Sequence, residues 1–401
     1  MGGRSARSSQ KGRHRGDDPR RDAGGGQGRS GRASSTWANA TVSIRRVTVR
    51  TCAAAAAILA SAGCGASSTD STATDTKNLP PLNTRATSMK AGFGTMERLA
   101  EAAKREGELN VIALPRDWVN YGEIIDAFAD KYDIKVNELE PGASSKRQLD
   151  IAPQLKPDVF DLTMDVAVAG ADRFAPYKVQ GWQDLPDHVK DPAGGWYAAY
   201  GGYVSIGYDP RAVKPPASFA DLLKPGYRVA LDGDPLRSAS AFGGVMAASM
   251  RAGVPRPEQG VALFAKLKQA GRLTEPAKAN TIVAWDHLNA ARGARSDGWK
   301  VTIPRDAALG GYHVQAISKA APHPAAARLW QEFLFSDEGQ NLLQKGFARP
   351  ARGEAMLMKG TLDAEQAAKL PKAPGPPVLM TIPQADAAKA YLKKEWAKSV
   401  G

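Results

Sequence analysis

Residues 310–352 read GGYHVQAISKAAPHPAAARLWQEFLFSDEGQNLLQKGFARPAR and contain two kinds of predicted secondary structure. The segment HVQAISK is a short run with several apolar residues, which predicts a β-strand. The segment from Pro324 to Phe335 follows the residues APHP and predicts an α-helix. A strand followed closely by a helix is the unit from which α/β folds are built.

The same alternation extends through the chain from about residue 90 onward. Two helices carry apolar residues on one face, namely Met96, Leu99, Ala100 and Ala103 in the first and Ile124, Ile125, Phe128 and Tyr132 in the second. Gly107 follows the first helix as a C-cap. Further strands are predicted in LNVIALP (109–115), IKVNEL (134–139), VFDLTM (159–164), YVSIGYDP (203–210), RVALDGDP (228–235) and TIVAW (281–285). This pattern predicts an α/β sheet with helices on both faces.

An apolar run that ends at a cysteine marks the N-terminal region, where residues 53–74 read AAAAAILASAGCGASSTDSTAT. The run from Ala53 to Gly63 follows several arginines and is shorter than the ~20 residues of a membrane-spanning helix, so it predicts a cleaved secretory signal. Residues 61–64 resemble a bacterial lipobox, which would make Cys64 the lipid-bearing first residue of the mature protein. Cys52, the only other cysteine, would leave with the signal. The alternative is an ordinary signal with an incidental cysteine.

The strong positive charge of the chain belongs to its N-terminal region. Residues 1–41 are rich in Arg, Gly and Ser and predict disorder, and we expect translation to start downstream, at Val42 or Val47. Residues 1–64 hold 12 Lys and Arg and 3 Asp, a net charge of +9, so only +4 of the total of +13 remains for the rest of the chain. A nucleic-acid partner is therefore not expected.

Polar and aromatic residues collect where the predicted strands end, which is where open α/β sheets bind ligands. The candidate ligand-binding residues at these positions are Asp117, Trp118, Asn120, Tyr121, Ser144, Ser145, Asp165, Asp232, Ser240, Trp285 and Asp286. Three further aromatic candidates are Trp196, Tyr203 and Tyr312. Each polar candidate has an alternative interpretation, because Asp, Ser and Asn at such junctions are common helix N-caps.

The candidate residues leave two ligand chemistries open. The carboxylates would suit a diamine or polyamine if they converge with the tryptophans, because carboxylates neutralise ammonium groups and aromatic faces attract them. Four serines at predicted helix starts would suit an anion instead, because free backbone N–H groups point outward there. These serines are Ser144, Ser145, Ser238 and Ser240.

A secreted hydrolase is the main alternative from another class. The sequence contains no G-x-S-x-G, S-x-x-K or H-E-x-x-H motif. Outside the N-terminal region its histidines are His188, His287, His313 and His323, and none has metal-ligand spacing to another ligand-type residue. We therefore predict no catalytic residue, no metal site and no cofactor.

Three stretches together resemble the extracellular solute-binding proteins of ABC importers, in the type II branch that includes spermidine/putrescine, iron(III) and thiamine binders. They are Leu99–Pro115, Gly194–Pro235 and Gly310–Arg352. The resemblance implies a two-lobed type II periplasmic-binding-protein fold with a ligand cleft between the lobes. The chain would cross between the lobes near Tyr197–Tyr203 and near Tyr312–Gln315.

The resemblance also implies a domain organisation. Residues 1–64 would comprise the basic overhang and the signal with its lipobox, and residues 65–90, which are rich in Ser and Thr, a flexible tether. Lobe I would contain residues 91–197 and 312–348, and lobe II residues 198–311 and 349–401. The protein would be a monomer anchored by lipid to the outer face of the cell membrane.

The implied function is to capture a small solute and deliver it to an ABC permease with its ATPase. A polyamine is the expected ligand, and an anion, iron(III) or thiamine are alternatives. Iron(III) is less favoured, because its binders usually carry adjacent tyrosines near the second crossing, where this chain has GYHV with His313. A signalling partner in place of a transporter is a further alternative.

Overall fold

A computed structural model describes residues 79–296 and 298–401, and the structural statements below concern these residues. The predicted overhang, the signal, Cys64 and the first part of the tether lie outside the described residues. No helix in the two described ranges combines the length and apolar character needed to cross a membrane.

Twelve strands and thirteen α-helices lie in these two ranges. Strands β1 to β12 are Glu108–Ile112, Lys135–Leu139, Val159–Thr163, Phe174–Ala175, Tyr197–Tyr208, Val229–Leu231, Met250–Arg251, Val254–Pro255, Thr281–Trp285, Lys300–Thr302, Gly310–Ser318 and Arg349–Pro350. Helices α1 to α13 are Met89–Gly92, Met96–Glu106, Tyr121–Tyr132, Ser145–Leu155, Met164–Ala169, Ala239–Ser249, Pro257–Gln269, Asp286–Arg295, Pro324–Leu334, Asp337–Lys345, Gly353–Lys359, Ala364–Lys369 and Ile382–Ser399. Short 3-10 helices span Ala171–Arg173, Trp182–Asp184, Asp187–Val189, Phe219–Leu223, Pro276–Lys278 and Arg305–Ala307.

The main sheet is mixed and has the strand order β2-β1-β3-β11-β5-β9-β6. Strand β1 pairs in parallel with β2 and β3, and β6 pairs in parallel with β9. The central strand β11 pairs antiparallel with both β3 and β5. Parallel pairs need crossover connections, and α3, α4, α6 and α7 lie in the connections between them. These findings confirm the predicted α/β architecture.

Strand β5 joins the two halves of the sheet. Residues 197–203 of this strand pair with β11, and residues 204–208 pair with β9. The two largest hydrophobic clusters divide at the same place, since Tyr200 belongs to the first and Val204 to the second. On the return through β11, Leu309 belongs to the second cluster and Tyr312 to the first. The exact lobe boundaries given above stay a prediction.

The APHP stretch leads into α9, and the carboxylates of the partly buried Glu106 and the buried Asp158 hold it. The Glu106 carboxylate accepts the backbone N–H groups of Ala325, at 2.9 Å, and Ala326, at 2.8 Å. The Asp158 carboxylate accepts the backbone N–H of His323 at 2.7 Å and contacts its Nδ1 at 2.8 Å. Carboxylates at a helix N-terminus satisfy free donors and complement the helix dipole. The two carboxylates thereby attach the start of α9 to the last residue of α2 and to the residue before β3.

Candidate ligand cleft

A cleft of about 1290 Å³ opens between the two hydrophobic clusters. Its wall is formed by the ends of β3 and β9, the first residues of α4 and α6, the middle of the crossing strands, and α13. Eight of the predicted ligand-binding residues line it, namely Trp118, Ser144, Ser145, Asp165, Asp232, Ser240, Trp285 and Tyr312. The structure thus brings together residues from six separate segments of the sequence.

Three candidates from the loop after β1 do not line the cleft. Asp117 is exposed to solvent outside it. Asn120 has a positive φ of 69° and its amide donates to the Glu123 carboxylate at 2.9 Å, so it shapes the start of α3. Tyr121 is fully buried, and its hydroxyl accepts the Gln315 amide at 3.2 Å. In the structure Asn120 and Tyr121 hold the fold of the first lobe.

Trp196, Tyr203 and Asp286 also lie outside the cleft lining. Trp196 packs against the first hydrophobic cluster, and the Tyr203 hydroxyl donates to a backbone carbonyl at 2.7 Å. Asp286 is fully buried and accepts the backbone N–H of Tyr203 at 3.0 Å and the Arg349 Nε–H at 3.1 Å. Asp286 therefore anchors the crossing strand β5 to β12 and has no free surface for a ligand.

The serines at the cleft are engaged with the backbone. The Ser144 hydroxyl accepts a backbone N–H as the N-cap of α4. The Ser145 hydroxyl accepts the backbone N–H of Thr163 at 2.9 Å, and the Ser240 hydroxyl accepts that of Trp285 at 3.3 Å. In each lobe a serine in the first turn of a helix thereby ties that helix to the end of the neighbouring strand.

The two predicted carboxylates that line the cleft both have a cationic partner. The Asp165 carboxylate forms an ion pair and a hydrogen bond with Lys389 Nζ. Burial raises the pKa of Asp165, but the hydrogen bond and charge of Lys389 outweigh it and leave the pKa below its usual value. Asp232 lies 3.6 Å from a guanidinium nitrogen of Arg292. Neither carboxylate is available unpaired for a ligand.

Asp161, which the sequence prediction missed, is the buried carboxylate at the floor of the cleft. It lies in the middle of β3 and is 4% exposed. Its Oδ2 accepts the Tyr200 hydroxyl at 3.2 Å, whereas its Oδ1 has no hydrogen-bond partner among the described residues. Its ion-pair contact within the described residues is His313 Nδ1, at 3.6 Å. A negative group buried among apolar strand residues was the sequence signal that could have identified it.

Aromatic rings surround Asp161. The Trp118 indole N–H donates to the Tyr200 hydroxyl at 2.7 Å. The Tyr200 ring stacks on His313 with a centroid distance of 5.1 Å, and Trp118 meets the edge of His287 at 5.2 Å. Of these four rings, the prediction named only Trp118 as a binding residue. The floor therefore combines one carboxylate with several π-faces.

Two histidines in this floor carry unused ring nitrogens. Both nitrogens of His287 and both of His313 are buried without a hydrogen-bond partner among the described residues. Burial, together with the charges of His313 and Arg349, lowers the pKa of His287 to about 3. His287 is therefore neutral at physiological pH. Buried polar atoms are normally hydrogen-bonded, so this cluster of unsatisfied groups indicates a ligand-binding surface.

Within residues 79–296 and 298–401, no three His, Cys, Asp or Glu side chains are placed to hold a metal ion together.

A mixed sheet shared by two hydrophobic clusters, with a polar and aromatic cleft between them, defines the class of two-lobed solute-binding proteins. Residues 164–375, more than half of the chain, match the family of bacterial extracellular solute-binding proteins, and the chain belongs to that family. The family confirms the resemblance inferred from the sequence. It also places the protein outside the cytoplasm. A search of curated protein sequences gives no match.

Solved structures of two-lobed binding proteins superpose on most of the chain. Iron-bound HitA from Pseudomonas aeruginosa has a TM-score of 0.56 at 19% identity, covering 73% of this chain and 99% of that one. AfuA from Actinobacillus pleuropneumoniae, with fructose-6-phosphate, has a TM-score of 0.54 at 15% identity, covering 73% and 98%. The spermidine/putrescine protein PotD from Streptococcus pneumoniae has a TM-score of 0.54 at 14% identity, covering 73% and 99%. At these identities the likeness concerns the fold alone, and it confirms the predicted two-lobed type II architecture.

Proposed function

We propose that the protein captures a small organic cation outside the cytoplasm and delivers it unchanged to an ABC permease. The polyamines expected from the sequence belong to this ligand class. The carboxylates predicted from the sequence do not support it, however: Asp165 and Asp232 are paired, and Asp117 and Asp286 lie outside the cleft lining. The proposal depends instead on Asp161.

Asp161 is the observation that carries the proposal. Burying a carboxylate costs several kcal/mol, and no Lys or Arg among the described residues pairs with Asp161, so its site favours the arrival of a positive charge. An ammonium group at this position could donate to the unpartnered Oδ1. The partly exposed Trp118 ring would add ~0.5–2 kcal/mol through cation–π attraction.

An anion is the second candidate, because α4 and α6 both begin at the cleft and five basic residues, Arg147 among them, line it. Two observations weigh against this candidate. Ser144 and Ser238 already accept backbone N–H groups in the first turns of these helices. The negative charge of Asp161 would also repel an anion at the floor. The arrangement therefore favours a cation.

Titration calorimetry with an amine panel tests the proposal. We expect putrescine, spermidine or a monoamine to bind, whereas phosphate, sulfate and iron(III) citrate do not. Replacing Asp161→Asn removes the charge and should weaken amine binding about 30-fold or more, equivalent to ~2 kcal/mol. Asp117→Asn is the matched control, because Asp117 is exposed outside the cleft and should bind as the wild type does.

The proposal fails if an anion or iron(III) binds while every amine is inert. It also fails if Asp161→Asn, shown by its thermal unfolding to be folded, binds the amine with unchanged affinity.

We further propose that Cys64 carries the lipid anchor and that the protein acts as a monomer without catalytic activity. Two acyl chains hold a protein stably at a bilayer, whereas one does not. Cells that express Cys64→Ala should release the protein into the medium, and retention of this variant in the membrane fraction would contradict the anchor.

A further inference from the structure

We propose that the ligand carries a single positive charge, on nitrogen, together with an apolar body, so that polyamines bind poorly. This inference rests on the proposed capture of an organic cation. It concerns how many charged nitrogens the cleft can satisfy and what the remainder of the ligand contacts.

The number of unpaired carboxylates in the cleft limits the number of ammonium groups that the cleft can bind. The described residues contribute four carboxylates to the cleft lining, namely Glu140, Asp161, Asp165 and Asp232. Asp165 is paired with Lys389, and Asp232 lies 3.6 Å from Arg292. Glu140 is exposed to solvent, where water screens its charge. Among the described residues, Asp161 is therefore the one buried carboxylate of the cleft lining with which no Lys or Arg pairs.

Basic side chains in the cleft lining disfavour a second ammonium group. Among the described residues, Arg147 and Lys393 line the cleft without an ion-pair partner, whereas Lys146, Arg237 and Lys389 are paired with Asp150, Asp234 and Asp165. A ligand that places one ammonium on Asp161 and extends a second through the cleft would bring the second towards these cations. These side chains are exposed, so water weakens the repulsion, but it adds to the lack of a second carboxylate partner. A monocation avoids this repulsion.

A set of apolar side chains fits the remainder of such a ligand. Phe242 from α6, Leu379 and Met380 before α13, and Ile382 within it line the cleft and are only half-buried. Burying apolar surface of this kind against a ligand is favourable in proportion to the area removed from water. The cleft volume of about 1290 Å³ also leaves room for more than a four-carbon diamine.

A matched series of amines tests the inference on the purified protein by titration calorimetry. The series contains n-butylamine, 4-phenylbutylamine, putrescine and spermidine, so that charge and apolar area vary separately. We expect 4-phenylbutylamine to bind at least tenfold more tightly than putrescine or spermidine. Replacing Phe242→Ala should weaken 4-phenylbutylamine at least fivefold and leave n-butylamine within twofold. Met358→Ala, at a side chain that is 77% exposed outside the cleft, is the matched control and should change neither.

The outcomes separate this inference from the function on which it rests. Equal or tighter binding of putrescine or spermidine, with loss on Asp161→Asn, overturns the single-charge inference and leaves the organic-cation function intact. Unchanged binding of 4-phenylbutylamine by Phe242→Ala overturns the apolar contact. Failure of all four amines to bind defeats the function and the inference together.

Discussion

At the scale of single residues, the cleft residue His287 makes the stability of the fold depend on pH. Burial first, and then repulsion by His313 and Arg349, lower its pKa to about 3. In the unfolded chain the imidazole returns to its ordinary pKa of about 6.5. Between these values the unfolded state binds the extra proton, so the contribution of His287 to stability is present above about pH 6.5 and is lost as the pH falls towards 3.

We therefore predict that His287→Gln flattens the acid side of the stability profile. Between pH 7 and pH 5 the wild type should lose ~2 kcal/mol of unfolding free energy more than the variant does. Urea unfolding at the two pH values measures the difference. His188→Gln, at an exposed histidine, should keep the full pH dependence of the wild type. Parallel profiles for His287→Gln and wild type would show that His287 is not buried in the neutral form.

The residues of the candidate site show where sequence reasoning succeeds and fails. The rule that ligand-binding residues follow the ends of strands selected Trp118 and Asp165, and both line the cleft because the chain leaves the sheet there. The same rule missed Asp161, which lies within β3, beside β11, and not at the end of the strand. It also selected Asp286, whose role as the partner of Arg349 depends on a residue 63 positions away. Local pattern cannot reveal such a long-range pair.

At the scale of secondary-structure elements, the ion pair between Asp165 and Lys389 connects α5 to α13 across the cleft. Asp165 lies in α5, which packs with the first hydrophobic cluster, and Lys389 lies in α13, which packs with the second. The side chains are 22% and 46% exposed, so the pair itself contributes only ~0–1 kcal/mol. Its position nevertheless favours the closed arrangement of the cleft.

We predict that Lys389→Met weakens ligand binding by about two- to fivefold, the equivalent of losing such a pair. The exchanged variant Asp165→Lys with Lys389→Asp should restore most of the affinity, because it rebuilds the pair with reversed charges. Calorimetry at low and high salt measures the effect, which should shrink as salt screens the pair. If the exchange variant binds no better than Lys389→Met, the pair does not act as a link across the cleft.

Most helices and strands could be predicted from the sequence, because they depend on patterns of neighbouring residues. The helix at Met96–Glu106 shows one apolar face and ends at Gly107, which adopts a φ of 79°. The strand at Thr281–Trp285 consists of a β-branched threonine followed by four apolar residues. The local pattern began this strand at Tyr203, and its extension back to Tyr197, which pairs with β11, was expected only from the resemblance. The position of α13 along the cleft was likewise set by tertiary packing.

At the scale of the whole molecule, the fold places two hydrophobic clusters on a shared sheet, and this organisation permits hinge motion around the cleft. The alternation of strands and helices predicted the α/β class. The pairing order around β11 and β5 could not be read from the sequence, because it is decided by contacts between residues more than a hundred positions apart. A ligand closes such a molecule only by binding the closed form more tightly.

Native mass spectrometry of the protein isolated from its own cells tests the central claim most directly. The cleft should retain a small cargo with a positively charged nitrogen, which is released on denaturation and is absent from Asp161→Asn prepared in the same way. A cargo that is an anion or a metal ion, retained equally by the wild type and by Asp161→Asn, would contradict the account.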